Sequence, residues 1–233
     1  LSDIWEQSES IVTEKTIEDL NKLKKQLFTE RKKAIYLRQL IRYAAAITLI
    51  ISISSFFTYL ITSSETVEYQ QLSVAYGENK KINLADGTVV AVNAGSTLIY
   101  PTKFSGKTRT VFLSGEAIFD VATNKRKPFT VRTKHIDITA LGTKFSVQSY
   151  PNSDYSKTTL IEGRVKVVVE NENSNPYILT PDHQLSYSHS NKNISITEID
   201  ARKTESWEKG YLIFQDISFE EIIKTIERKY NVD

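Results

Sequence analysis

The chain has no cysteine and no methionine among its 233 residues. The first absence removes disulfide frameworks, cysteine-based zinc sites and thiol nucleophiles together. The second, with a start at Leu1, reads as a fragment or a processed form of a longer chain. A dominant charge is also lacking. The 30 Lys and Arg nearly cancel the 28 Asp and Glu, so no overall field draws the molecule onto nucleic acid. Only three histidines occur, His135, His183 and His189, and they lack the spacing of metal ligands. No Walker loop, dinucleotide fingerprint or HExxH helix is present, and no acidic pair is placed face to face as glycoside hydrolysis requires. Neither a metal nor another cofactor is expected. Binding and signalling fit this inventory better than turnover of an external substrate.

What the chain does have is one long apolar run. No charged residue occurs from Tyr43 to Ser64, and ~20 helical residues at ~1.5 Å rise span the ~30 Å hydrocarbon core of a bilayer. A transmembrane helix is therefore predicted over residues 41–64. Its hydroxyl residues, Thr48, Ser52, Ser54, Ser55 and Thr58, are expected to bond carbonyls one turn back. A signal peptide would place a shorter run near the chain start, whereas here a long polar segment comes first. Arg31, Lys32, Lys33, Arg38 and Arg42 precede the run and Glu65 and Glu68 follow it. That asymmetry predicts a cytoplasmic N-terminus, with the basic stretch against lipid headgroups. Residues 1–40 read as a cytoplasmic helix in which Ile17, Leu20, Leu23 and Leu27 form one apolar stripe. So short a segment cannot bury the stripe alone, so it is either a plain stalk or pairs with upstream sequence or a partner protein.

After Val67 the pattern switches to short alternating segments: 88–93, 109–113, 117–121, 129–132, 136–139, 144–148, 158–161 and 164–169. Period two with Val, Ile, Thr and Phe predicts strands. Turn signals separate them at Asp86-Gly87, Ala94-Gly95, Ser105-Gly106, Ser114-Gly115, Glu162-Gly163 and residues 171–176. Residues 65–199 are thus expected to form an all-β domain, as a sandwich, jelly roll or short solenoid. From residue 200 the texture changes again. Trp207, Gly210, Leu212 and Phe214 suggest a strand, and Ser218 to Glu221 a capping box. The helix that follows carries Phe219, Ile222, Ile223, Ile226 and Tyr230 on one face. Residues 200–233 therefore read as the truncated start of a small α+β subdomain, and the chain as a whole as mainly β.

The ordered motifs resemble one known family. Leu84-Ala85-Asp86-Gly87-Thr88, Asn93-Ala94-Gly95-Ser96, Tyr100-Pro101, Leu113-Ser114-Gly115-Glu116-Ala117, Phe119-Asp120-Val121-Ala122, Lys127-Pro128-Phe129, Leu141-Gly142-Thr143 and Glu162-Gly163 are similar to the FecR family, across roughly residues 72–233. Trp207, Gly210, Leu212, Phe214 and Tyr230-Asn231-Val232 resemble the short C-terminal domain of its Bacteroidetes-type members. The resemblance implies an inner-membrane anti-sigma factor. Its implied partners are an extracytoplasmic-function sigma factor in the cytoplasm and the signalling domain of an outer-membrane TonB-dependent transducer in the periplasm. It also implies a β domain on the periplasmic side. Tyr211, Leu212, Ile213 and Phe214 are the candidate transducer contacts, as a strand whose edge another chain could extend.

Gly142 and Thr143 are candidates for self-cleavage, as in some relatives, by attack of the Thr hydroxyl on the preceding carbonyl. His135 or Asp137 would serve as base. Apart from this no enzymatic activity is expected. The competing function is a membrane-anchored periplasmic scaffold or glycan-binding module, for which Tyr150, Tyr155, Tyr177 and Tyr187 would have to share one face.

Overall fold

The computed structural model describes residues 2–62, 67–170, 175–214 and 217–232, without the side chains of 2–15, 26–35 and 60–62. The basic flank Arg31, Lys32 and Lys33, the stripe residue Leu27 and the flanking Glu65 lie outside the described side chains. The chain divides into two compact units, Leu1–Ser64 and Glu65–Asp233.

The first unit is one continuous helix, α1 (Ser2–Thr62). Within it Tyr36–Tyr59 is long and apolar enough to cross a membrane, and none of that stretch is buried by protein. Three of its hydroxyls bond back along the helix, Thr48 to the Ala45 carbonyl at 2.9 Å, Ser52 to Thr48 and Thr58 to Ser54 at 2.8 Å. These three hydroxyls are thereby satisfied within the segment, as a hydrocarbon surround demands.

The second unit holds thirteen strands among the described residues. They are β1 (Tyr69–Ser73), β2 (Lys80–Asn83), β3 (Val89–Val92), β4 (Thr97–Pro101), β5 (Arg109–Asp120), β6 (Phe129–Arg132), β7 (Ile136–Ala140), β8 (Lys144–Ser149), β9 (Tyr155–Glu162), β10 (Val165–Val169), β11 (Tyr177–Leu179), β12 (His183–Ser188) and β13 (Ile194–Glu198). The first half of β5 pairs with β4 and, in parallel, with β6. Its second half pairs with β3 and β8. One layer therefore runs β1-β4-β5-β6-β7-β10-β11 and the other β2-β3-β5-β8-β9-β12-β13. Both layers feed one core, which includes Val111, Phe129 and Val167 from the first and Val92, Phe119, Phe145 and Leu185 from the second.

The expected turn at Ser114-Gly115 is instead the point where a single strand passes from one layer to the other. Gly115 has φ +120°, and a Cβ there would stand 2.3 Å from Ser96 Oγ. Absence of a side chain lets β5 bend against Ser96 without breaking.

The C-terminal segment departs further from expectation. Trp207 belongs to a 3-10 helix, Ala201–Lys209, ended by Gly210 in the left-handed conformation, and Tyr211–Phe214 pair with no strand. The reason is tertiary. Trp207 inserts its ring against Ala91, Ile118 and Ile161 on the outer face of the second layer, and Lys144 binds Glu205, so the chain is held helical until Gly210 releases it. Helix α2 (Phe219–Tyr230) follows, its N-cap Ser218 accepting from the Glu221 backbone N–H at 3.3 Å. The reciprocal half of the capping box is missing, because the Glu221 carboxylate turns to Arg228 at 3.5 Å.

Candidate functional site

Two places hold the residues that the sequence singled out. The first is the tight connection from β7 to β8. Gly142 has φ +151°, and a Cβ at that position would meet Thr123 Oγ1 at 2.3 Å and the Thr123 Cα at 2.8 Å, so only glycine fits. The peptide is pinned on both sides. Asn124 N–H donates to the Leu141 carbonyl at 2.8 Å and Val121 N–H to the Thr143 carbonyl at 3.0 Å. Gly163, at φ +91°, passes so near that a Cβ on it would lie 2.6 Å from Thr143 Cγ2. Within this enclosure the Thr143 hydroxyl is buried and has no hydrogen-bond partner among the described residues. A buried, unsatisfied hydroxyl is unfavourable by about 1–3 kcal/mol.

Neither expected base reaches it. Asp137 and His135 stand toward the far end of β7, about 10 and 17 Å from its last residue Ala140 at ~3.3 Å per residue, and Asp137 is paired with Arg132 at 3.4 Å.

The second place is where α2 rests on the β domain. The helix is mounted with its polar face inward. Arg228 is 4% exposed, and its guanidinium lies 4.0 Å from the Tyr150 ring centroid, a close cation–π contact. Its carbonyl accepts from Gly77 N–H at 2.8 Å. Lys224 Nζ donates to the Asn152 carbonyl at 2.8 Å. Beneath, Tyr150 donates to the Ala94 carbonyl at 2.9 Å and Asn93 donates to Glu116 Oε2 at 2.7 Å. Leu212 lines the same small pocket, with Asn93, Glu116, Tyr150, Thr225 and Arg228. Burial pushes the Glu116 carboxyl above its usual range and draws the Lys157 ammonium below its own.

The apolar face read from the sequence consequently faces outward. Phe219 is 76% and Tyr230 60% exposed, with Ile223 and Ile226 also open. Tyr211, Ile213 and Phe214 are exposed as well, whereas Leu212 is half-buried. Leu212 thus packs beneath α2 while Tyr211, Ile213 and Phe214 stay exposed, in an extended stretch and not as a strand.

The tyrosines proposed for sugar stacking do not gather. Tyr150 and Tyr187 are buried, the first under Arg228 and the second beside His135 and His189, while Tyr155 is exposed. The polar mounting of α2 was not legible in sequence, because its partners Gly77, Tyr150 and Asn152 lie far from it in the chain.

Residues 70–180 match the family model described as FecR protein. Two crystal structures of a candidate anti-sigma factor from Parabacteroides distasonis ATCC 8503, at 2.50 and 1.65 Å, are 35% identical to the chain. They superpose with TM-scores of 0.68 and 0.67, over 70% of this chain and 76% and 75% of theirs. No protein of curated function matches.

Proposed function

Because this chain belongs to the FecR family of anti-sigma factors, we propose that it carries a signal across the bacterial inner membrane, from an outer-membrane TonB-dependent transducer to an extracytoplasmic-function sigma factor. The observation that carries the reading is the continuity of α1. One continuous helix joins a charged segment to the apolar span Tyr36–Tyr59, ahead of the β unit in sequence. The Lys and Arg excess before the span orients the N-terminus to the cytoplasm and the basic residues to anionic headgroups. The sigma factor binds on that side. The transducer's signalling domain binds the periplasmic unit at Tyr211, Ile213 and Phe214 together with the outward face of α2, since both present exposed apolar side chains to a partner.

The test is affinity capture of the full chain from solubilised membranes, with mass spectrometry of what co-purifies. Recovery of a sigma factor, and its loss when residues 1–35 are deleted, is the expected result. Capture of neither a sigma factor nor an outer-membrane receptor overturns the relay.

Self-cleavage at Gly142-Thr143 is a second proposal, favoured by the buried Thr143 hydroxyl without a partner and by the glycine-only backbone before it. The Thr143 Oγ attacks the Gly142 carbonyl carbon, the C–N bond breaks, and the hydroxyl proton passes to the freed Thr143 amine. Water then opens the resulting ester to give two chains. Full-chain protein carrying a tag at each end, purified with protease inhibitors, yields two fragments in this case. A single intact band overturns cleavage and leaves the relay standing.

A further inference from the structure

Outside both places described above, His135 and His189 are stacked on each other. Their ring centroids are 3.9 Å apart at 31° between planes, and the Tyr187 ring flanks them at 6.2 and 5.7 Å. His135 immediately precedes β7 of one layer of the domain, while His189 follows β12 of the other. The contact therefore ties the β6–β7 turn to the β12–β13 turn across the two sheets. The backbone of each residue is also held. Glu170 N–H donates to the His135 carbonyl at 2.8 Å, and His189 N–H to the Asp154 carbonyl at 2.8 Å. His189 Nε2 meets Ser156 Oγ at 2.9 Å, and Ser156 Oγ meets Ser149 Oγ at 2.8 Å, both serines being buried.

We propose that the His135–His189 stack is an acid-sensitive clasp between the two layers of the β domain, closed while both imidazoles are neutral and opened when either takes a proton. The geometry accounts for the sensitivity. A neutral imidazole has one accepting nitrogen and one donating N–H, and Nε2 of His189 is already engaged by the buried Ser156 hydroxyl, which in turn engages Ser149. Protonation leaves Nε2 able only to donate to that buried hydroxyl pair. It also places a charge about 4 Å from the other ring, where a second charge is repelled.

The charged neighbours are Lys134 on the β6–β7 turn, which opposes protonation of both rings, Glu170 beyond β10, which favours it at His135, and Asp154 before β9, which favours it at His189. Burial is the largest influence on each, and both imidazoles sit below their ordinary pKa. The sign follows. The closed form has the lower pKa, so its stability is present above the ordinary value near 6.5 and is lost as pH falls through the lowered one. Exposure of this clasp to external acid rests on the proposed periplasmic placement; the clasp itself does not.

Hydrogen exchange of the full chain in lipid nanodiscs at pH 7.5 and pH 5, corrected for intrinsic rates, tests it. Protection of residues 183–194 and 129–137 is expected to fall by up to about tenfold per pH unit for each proton taken up, with the core strand β5 unchanged. His135→Phe, which keeps a flat ring without a titrating nitrogen, is expected to reduce that dependence. Equal protection at both pH values in the wild type, or an unchanged pH response in a His135→Phe, His189→Phe double variant, overturns the proposal. Should the variants fail to fold, NMR of labelled histidines in the wild-type chain decides. Titration of both rings at or above 6.5 sinks it, and titration of both below 6.5 supports it.

Discussion

Arg109 Nη1 stands 2.6 Å from Asp86 Oδ2, with the arginine side chain only 2% exposed. The same carboxylate accepts from Thr88 Oγ1 at 2.7 Å, and its other oxygen from Thr88 N–H at 3.1 Å. Arg109 in turn donates to the Ala122 and Lys127 carbonyls, both at 2.8 Å, and lies over Phe129. Three motifs distant in sequence, 84–88, 119–122 and 127–129, are thus gathered on one guanidinium. Breaking a buried pair from one side leaves an uncompensated charge and is strongly destabilising. Asp86→Ala is therefore expected to lower stability by about 3–5 kcal/mol, read as a shift in urea midpoint. A change below about 1 kcal/mol contradicts this account.

Thr143→Val keeps the shape of the side chain and deletes an unpartnered buried hydroxyl. The variant is expected to be as stable as the wild type or more stable by about 1 kcal/mol, and to abolish any fragment pair on an immunoblot. A destabilisation above about 2 kcal/mol shows that the hydroxyl has a partner.

Glu116→Gln tests the ground beneath α2. Burial raises the folded pKa of this carboxyl above its unfolded value, so it favours the fold fully below the unfolded pKa and loses that contribution as pH rises through the folded one. The glutamine variant should gain on the wild type in thermal midpoint at pH 7, and the gap should close near pH 4. A wild type that remains the more stable at pH 7 shows that the charge is held by Arg228 or Lys157 more strongly than burial opposes it.

Arg228→Met removes the cation over Tyr150 and the partner of Glu221. Helix α2 should then detach before the β domain unfolds, seen as faster trypsin cleavage after Lys224 and Lys229 with the β core intact. Unaltered cleavage there means that Leu212 and the backbone bond from Gly77 suffice to hold the helix.

Phe219→Ser and Ile223→Ser alter the outward face of α2. Since Phe219 is 76% exposed, stability should move by no more than about 0.5 kcal/mol, while capture of the transducer's signalling domain should fall at least tenfold. Full retention of capture by the double variant removes this face from the interface.

Periodicity alone determined much of this protein. The uncharged run after Tyr43 has one physical solution in a bilayer, a helix satisfying its own backbone. Alternation of Phe129 to Arg132 and of Ile136 to Thr139 marks strands because one face must be buried. Ordered motifs such as Asp86-Gly87-Thr88 carried the family. Short edge strands escaped: β1 and β2 are exposed over most of their length, so they show no apolar alternation.

What only the tertiary structure decided involved partners far apart in the chain. Gly115 reads as a turn until Ser96 is seen packed behind it. Tyr211 to Phe214 read as a strand until Trp207 is seen buried on the second layer. The amphipathic pattern of α2 was legible, yet not which way its apolar face points, because Arg228, Glu116 and Tyr150 meet only after folding. His135 and His189 lie 54 positions apart by their numbers, and contact between them depends on two sheets closing over one core. Local pattern encodes which residues want burial, whereas long-range packing settles which neighbour buries them.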